Sequence, residues 1–211
     1  MMVDLIFNSS RFGHMRLPEI HTSVWGTTVL IMEQEVAVTD MTIYQAYVRS
    51  IITADETSFR LDNGKCNITA LGLSAGCTYG MEVPMTGMDG LRAELDSVVR
   101  AGDGDGEITV GLSFRNPSPV QIDHGETNFE LRTVEGLVVA HLSGSLQILR
   151  GTFTVRLQGS LGEDEARTDS TKLRLVGTGT NDGSWCNETI QYIDTMMETG
   201  EGHRKALGLR M

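Results

Sequence analysis

Apolar and polar side chains alternate with a period of two along much of this chain. Over 107–114, Ile108, Val110, Leu112 and Phe114 fall on one face and Thr109, Gly111 and Ser113 on the other. That is the signature of a half-buried strand. Asn116-Pro117-Ser118-Pro119 then ends it, because proline offers no ladder donor and restricts the residue before it. The same alternation predicts strands over 127–133, 137–142, 145–149, 152–159 and 172–178, with Gly136, Gly144 and Gly151 at the joints. Earlier in the chain it predicts strands over 24–31, 57–62, 65–71, 78–84 and 90–95. Asp62-Asn63-Gly64-Lys65 reads as a hairpin turn between two of these, since Asn-Gly accepts positive φ. Two stretches switch to helical spacing. Ile43, Tyr44, Tyr47, Val48 and Ile51 predict a helix over 40–53, and Ile190, Ile193 and Met197 predict another over 186–198. Short strands at this spacing, closed by short helices, predict an antiparallel β-sandwich or barrel.

The irregular segments place the boundaries. Ala101-Gly-Asp-Gly-Asp-Gly106 marks a junction, and residues 162–170 read as an acidic surface loop between two strands. The last residues, 200–211, show no alternation and are expected to be a disordered tail.

Composition narrows the function classes. The 211 residues are 40% hydrophobic and 21% charged, as in a soluble globular protein. A formal charge of −11 repels phosphate backbones, so a nucleic-acid partner is set aside. No apolar run approaches the roughly 18–20 residues of a membrane-spanning helix. The opening MMVDLIFNSSRFGH has only a short apolar patch and no basic lead-in, which is not the pattern of a secretory signal.

Candidate chemistry is sparse. Gly72-Leu73-Ser74-Ala75-Gly76 has the form of a nucleophile elbow, but residues 77–83 read as another strand rather than the helix that motif needs. Asp123, His124 and His141 would be its partners, and nothing in their spacing orients them. Asp103-Gly-Asp-Gly-Glu107 opens like a calcium loop, yet the twelfth position is Phe114 instead of glutamate, so a solvated acidic turn is the expectation. His14, His21, His124, His141 and His203 show no metal-ligand spacing, and no phosphate-cradling glycine loop precedes a helix. Neither a metal nor an organic cofactor is expected, and no catalytic residue is assigned.

Cys66, Cys77 and Cys186 form an odd set without C-x-x-C spacing, which argues against structural zinc. Cys66 and Cys77 lie on neighbouring predicted strands, in position to pair if the chain meets an oxidising compartment. Asn8, Asn67 and Asn187 each open an N-x-[S/T] sequon, which points to the same kind of compartment, against the reading of the N-terminus.

The run from Ile108 through Asn116-Pro117 to Phe129-Glu-Leu131 resembles the strand–Asn-Pro–strand signature of late-embryogenesis-abundant group 2, or water-stress (WHy-type), domains. It is most similar to the version found as repeats in fungal membrane-anchored proteins. Residues 43–52, residues 85–91 and Leu175-Val-Gly-Thr-Gly179 with Trp185 fit the same repeat. The resemblance implies an immunoglobulin- or fibronectin-like antiparallel sandwich with short capping helices. It implies a partial repeat over 1–91, a nearly whole one over 92–199, and a location in the vacuolar lumen or on an extracytoplasmic face. It carries no catalytic residues. Asn116, with Pro117, is expected to be structural, its side chain satisfying backbone groups at the strand exit.

These readings predict a non-catalytic module that meets a protein or a membrane surface. The rival is a small-molecule binder or accessory enzyme in a fungal biosynthetic pathway. The rival's pocket would lie between the sheets or beneath the helix at 40–53; a core without a cavity of roughly 300 Å³ or more would count against it, and a deep pocket gathering His124, His141 or tyrosines would favour it.

Overall fold

A computed structural model describes residues 1–18, 34–101, 106–162, 171–181 and 183–209. The predicted strand 24–31 and most of the two acidic segments, residues 103–105 and 163–170, lie outside the described residues. The protein is mainly β, built from antiparallel sheets with short helices, the class that the alternation predicts.

The chain divides into two compact units, Met1–Tyr47 with Thr57–Met85, and Val48–Glu56 with Thr86–Met211. The first holds a five-stranded sheet, in the order β3-β2-β1-β4-β5. Its strands are β1 (Met2–Phe7), β2 (Ser10–Arg16), β3 (Val36–Val38), β4 (Glu56–Ala70) and β5 (Leu73–Thr86). Val3, Leu5 and Phe7 alternate inward from β1, and Phe12 joins them from β2. Tyr47, on helix α1 (Met41–Thr53), packs on that face, its ring 5.4 Å from Phe7, 5.2 Å from Phe12 and 5.7 Å from Phe59. Each large side chain removed from water in this way contributes about 1.5–3 kcal/mol. Asp40 caps the helix, its Oδ1 accepting from the Ile43 amide at 3.1 Å.

The expected hairpin at 62–65 is absent. The segments read as strands 57–62 and 65–71 form a single strand, β4. Asn63 does take positive φ (56°), but as a kink inside β4, where its Nδ2 donates to Asp4 Oδ2 at 2.9 Å. β1 pairs with residues 60–62, up to the Asn-Gly pair, and β4 runs on beyond it to Ala70. A Cβ on Gly64 would lie 2.9 Å from Val3 Cγ1, so this glycine serves a close approach rather than a turn. The chain reverses instead at Leu71 (φ 52°) and Gly72 (φ 78°).

The second unit holds a seven-stranded antiparallel sheet, order β12-β11-β8-β9-β10-β7-β6. Its strands are β6 (Arg92–Arg100), β7 (Glu107–Asn116), β8 (Ile122–Thr133), β9 (Val138–Ile148), β10 (Gly151–Leu161), β11 (Lys172–Thr180) and β12 (Asp194–Glu198). β12 and β6 stand at opposite ends of that order and yet come into contact, so the sheet curls into a sandwich-like, nearly closed barrel. Register aligns the apolar rows: Phe114 opposite Phe153, Leu112 opposite Val155, Val110 opposite Leu157 and Phe129 opposite Leu142. Phe114 and Phe153 stack with ring centroids 5.4 Å apart.

Four further expectations are corrected here. The strands read at 137–142 and 145–149 are one strand, β9. Of the three glycines placed at joints, Gly136 (φ 93°) and Gly151 (φ 84°) do turn the chain. Gly144 lies within β9, where a Cβ would meet Leu157 Cδ2 at 3.0 Å and the Arg156 carbonyl at 3.1 Å.

The helix expected over 186–198 is a short helix α2 (Cys186–Thr189), a 3₁₀ turn at Ile190–Tyr192 and strand β12. Ile190, Ile193 and Met197 are all buried, but by three different local structures. Thr195 and Met197 alternate inward as β12 pairs with β11.

The end of the chain is ordered through Leu209, contrary to the expected tail. Glu201–Ala206 form α3, which packs against β6, and Leu207 and Leu209 are buried. Gly208 (φ 73°) closes the helix in a Schellman motif, with Leu209 N donating to Arg204 O and Gly208 N to Lys205 O. The main segment of the second unit begins at Thr86.

Candidate functional site

The polar phase of the same alternation builds the outer face of the second unit's sheet. Thr109 on β7, Asn128 on β8, His141 and Ser143 on β9, and Gln158 and Ser160 on β10 border an open groove of about 640 Å³. Its floor includes Gly159, where a Cβ would stand 1.8 Å from the His141 carbonyl oxygen, so β9 and β10 meet there with no room for a side chain. The groove offers hydroxyls, amides and an imidazole, with Glu107 as its carboxylate. Asn128 Nδ2 donates to Asn181 Oδ1 at 2.7 Å, and Ser143 Oγ donates to the Gln158 carbonyl at 3.4 Å. His141 is exposed, with Nδ1 3.6 Å from Glu130 Oε1, whose carboxylate also binds Arg132. This surface can hydrogen-bond a polar ligand; Ser160 stands opposite His141 across β9 and β10, and among the described residues no hydrogen bond joins His141 to a hydroxyl.

His124 is not part of the groove. It is 2% exposed, with Nε2 3.2 Å from Thr189 Oγ1. Thr189 spends its own proton on the Cys186 carbonyl at 3.1 Å, so His124 Nε2 is the donor and Nδ1 has no partner among the described residues. Burial pushes this imidazole down to about 4, against a smaller opposing effect of Asp123. Cys186 is buried beside it, its Sγ 3.8 Å from the Asp123 carbonyl. Asp123 itself faces outward, accepting from Gln147 Nε2 at 3.0 Å and from the Gly125 amide at 2.9 Å. His124 and His141 therefore do not converge on one site: one is buried, the other exposed.

Ser74 stands just past the β4–β5 turn and receives the Thr69 hydroxyl at 3.3 Å. A strand follows it, and no histidine contacts it among the described residues, so the elbow motif has no elbow. Among the described residues no three His, Cys, Asp or Glu side chains gather as metal ligands.

Asn116 is fully buried. Its Nδ2 donates to the Val120 carbonyl at 2.9 Å and its Oδ1 accepts from the Ser118 amide at 2.8 Å, while Ser118 Oγ accepts from the Val120 amide at 3.2 Å. Pro117 and Pro119 supply no donors, and this one side chain satisfies the loop that they impose. Asn8 and Asn67 are exposed, Asn8 at the β1–β2 turn. Asn187 is half-buried, its Oδ1 accepting from the Thr180 amide at 3.1 Å, and the threonine of its sequon, Thr189, is fully buried. Cys66 and Cys77 bring their Sγ atoms to 2.6 Å on the facing strands β4 and β5.

The groove-lining amides and the His124–Thr189 pair had no signal as sites in the sequence. The first sit where any exposed strand residue is polar, and the second joins residues 65 apart.

The family described as "Protein of unknown function (DUF3712)" has a model that matches residues 10–131, from β2 almost to the end of β8. The chain belongs to this family. The DUF3712 match takes in the whole first sheet except β1 and includes the Asn116 loop, while β9–β12 lie beyond it. Comparison with curated proteins and with solved structures returned no match. Among the described residues no helix is long and apolar enough to cross a membrane.

Proposed function

We propose that this DUF3712 chain is a non-catalytic structural or interaction module, with a protein or membrane surface as its partner. We further propose kinship with the WHy-type repeats of fungal membrane-anchored proteins and exposure to the vacuolar lumen or the cell exterior. The observation that supports the first reading is how the interior polar groups are employed. Asn116, Ser118, Thr127 and Thr189 all hydrogen-bond backbone, and their neighbours Phe114, Phe129, Leu131 and Leu157 fill the space between strands. Polar groups spent on the fold are not available for proton transfer or attack. The test is complementation of a gene deletion by Ser74→Ala, His124→Phe, His141→Ala and Cys186→Ser, one at a time. Each variant that folds is expected to restore the native phenotype; loss of function in a folded one overturns the reading.

Exposure of Asn8 and Asn67 supports the lumenal reading. Expressed behind a secretory leader in a eukaryotic host, the chain is expected to carry glycosidase-sensitive mass at Asn67. An unmodified Asn67 would count against that location.

A second reading, binding of a small polar ligand, is supported by the open groove of about 640 Å³ with its hydroxyls and amides, which lies on the outer face of the sheet and away from the helix at 41–53. Titration with small polyols and amides, followed by amide chemical shifts, tests it: saturable shifts at Asn128, His141 and Gln158 support it, and unchanged shifts there exclude it.

A further inference from the structure

Beyond the Asn63 kink, β4 leaves β1 behind. β1 pairs with residues 60–62, and from Lys65 onward β5 is the one neighbouring strand of β4 among the described residues. The distal part of these two strands is therefore a two-stranded ribbon turning at Leu71-Gly72. Thr69 bonded to Ser74, and Asn67 beside Gly76, place the polar residues on one face. By alternation, Cys66, Ile68, Leu73, Ala75 and Cys77 share the other. That apolar face is bare: Ile68 is 60% exposed and Leu73 77%, with Leu71 fully exposed at the tip. A two-stranded hairpin without a packed face is marginal in water, so this ribbon lacks the burial that orders the rest of the sheet.

Cys66 and Cys77 lie across its base, eleven residues apart in sequence with Sγ atoms 2.6 Å from each other. Both are only partly buried, within reach of dissolved thiols, whereas Cys186 is buried and far along the chain. We propose that Cys66 and Cys77 form a reversible disulfide that staples this ribbon and governs the order of residues 67–76.

With glutathione disulfide as oxidant the reaction balances. One protein thiolate attacks a glutathione sulfur, the S–S bond of glutathione disulfide breaks, and one glutathione leaves as a thiol after taking up a proton. The second protein thiol loses its proton and attacks the mixed disulfide, releasing the second glutathione. Two electrons pass from the protein sulfurs to the glutathione sulfurs, and one S–S bond is formed for the one broken. Closure of the loop between the two cysteines removes conformations from the frayed ribbon, which is how a cross-link stabilises a segment with few contacts of its own.

The test equilibrates the full chain with glutathione at graded ratios of oxidised to reduced form, quenches with acid, alkylates and maps the peptides by mass spectrometry. Amide exchange over 67–76 is followed in parallel. The expected result is a Cys66–Cys77 linked peptide in the oxidised buffers, two alkylated cysteines in the reduced ones, and exchange over 67–76 slowed about tenfold by oxidation. In Cys77→Ser, Cys66 is expected to carry one glutathione, and the exchange rate no longer responds to the oxidant. Cys66 and Cys77 both alkylated at the highest ratio, pairing of either with Cys186, or equal exchange in the two redox forms would overturn the proposal.

Discussion

The imidazole of His124 hydrogen-bonds the hydroxyl of Thr189 at 3.2 Å, and because that hydroxyl already donates to the Cys186 carbonyl, the ring is locked as its Nε2–H tautomer. A proton added at Nδ1 would have no acceptor among the described residues. Burial holds the folded-state pKa at about 4, below the ordinary 6.5, so between those values the unfolded chain binds more protons than the folded one. The contribution of this residue is complete above pH 6.5 and is lost as pH falls toward 4. The total loss is about 3 kcal/mol. Denaturant titrations of the native chain and His124→Phe at pH 7 and pH 4 check it. The drop in stability is expected to be smaller in the variant by that amount, and equal drops would refute it.

Asn116 ties the Asn-Pro loop with both ends of its amide. Replacing it by alanine strands the buried Ser118 amide and the Val120 carbonyl, at a cost of about 2–4 kcal/mol. Equilibrium unfolding of Asn116→Ala is the measurement; a change below about 0.5 kcal/mol, typical of a surface site, would contradict the role.

Gly159 sits where β9 and β10 come closest, with 1.8 Å between a built Cβ and the His141 carbonyl oxygen. Gly159→Ala must force the strands apart and is expected to cost about 3 kcal/mol or more. Gly200→Ala, where a Cβ meets nothing within 4 Å, is the control and should change stability by less than about 0.5 kcal/mol. Melting curves of the two variants side by side decide it.

The C-terminal helix should matter to the fold. Arg100 Nε donates to the Ala206 carbonyl at 2.6 Å, and Leu207 is 4% exposed. Leu207→Ala is expected to cost about 2–3 kcal/mol. Proteolysis offers a second readout, with cleavage after Arg204 or Lys205 faster in the variant than in the native chain.

Much of the second unit's sheet could be read from alternation, because one face of each strand is buried and a period of two is then enforced residue by residue. Phe114 and Phe129 fell on the correct faces for that reason. Turns were legible only where backbone conformation was the constraint. Gly136 and Gly151 turn the chain, but Gly144 is glycine because Leu157 and Arg156 crowd it, and a sequence shows both kinds alike. Asn63-Gly64 failed for a related reason, since β4 runs on through the pair and Gly64 is crowded by Val3 and Tyr79 rather than placed in a turn. β12 was hidden because Ile190, Ile193 and Met197 match a helical period by coincidence. In the tail, Arg204-Lys205 before Gly208 was a helix-stop signal in plain view, masked by the lack of alternation. The groove and the His124–Thr189 contact arise from register between distant strands, for which local pattern has no code.

The curl that brings β6 against β12 also removes the two rims from which a sheet most readily recruits a stray chain. Among the described residues no strand pairs with the outer edge of β5. This strand is fourteen residues long and ends the strand order of its sheet, with Glu82 as its one charged side chain and Pro84 as its one breaker. Aggregation of this protein on storage or overexpression is therefore expected to begin by backbone pairing along β5, and a lysine placed at an outward position of that strand is the remedy the architecture recommends.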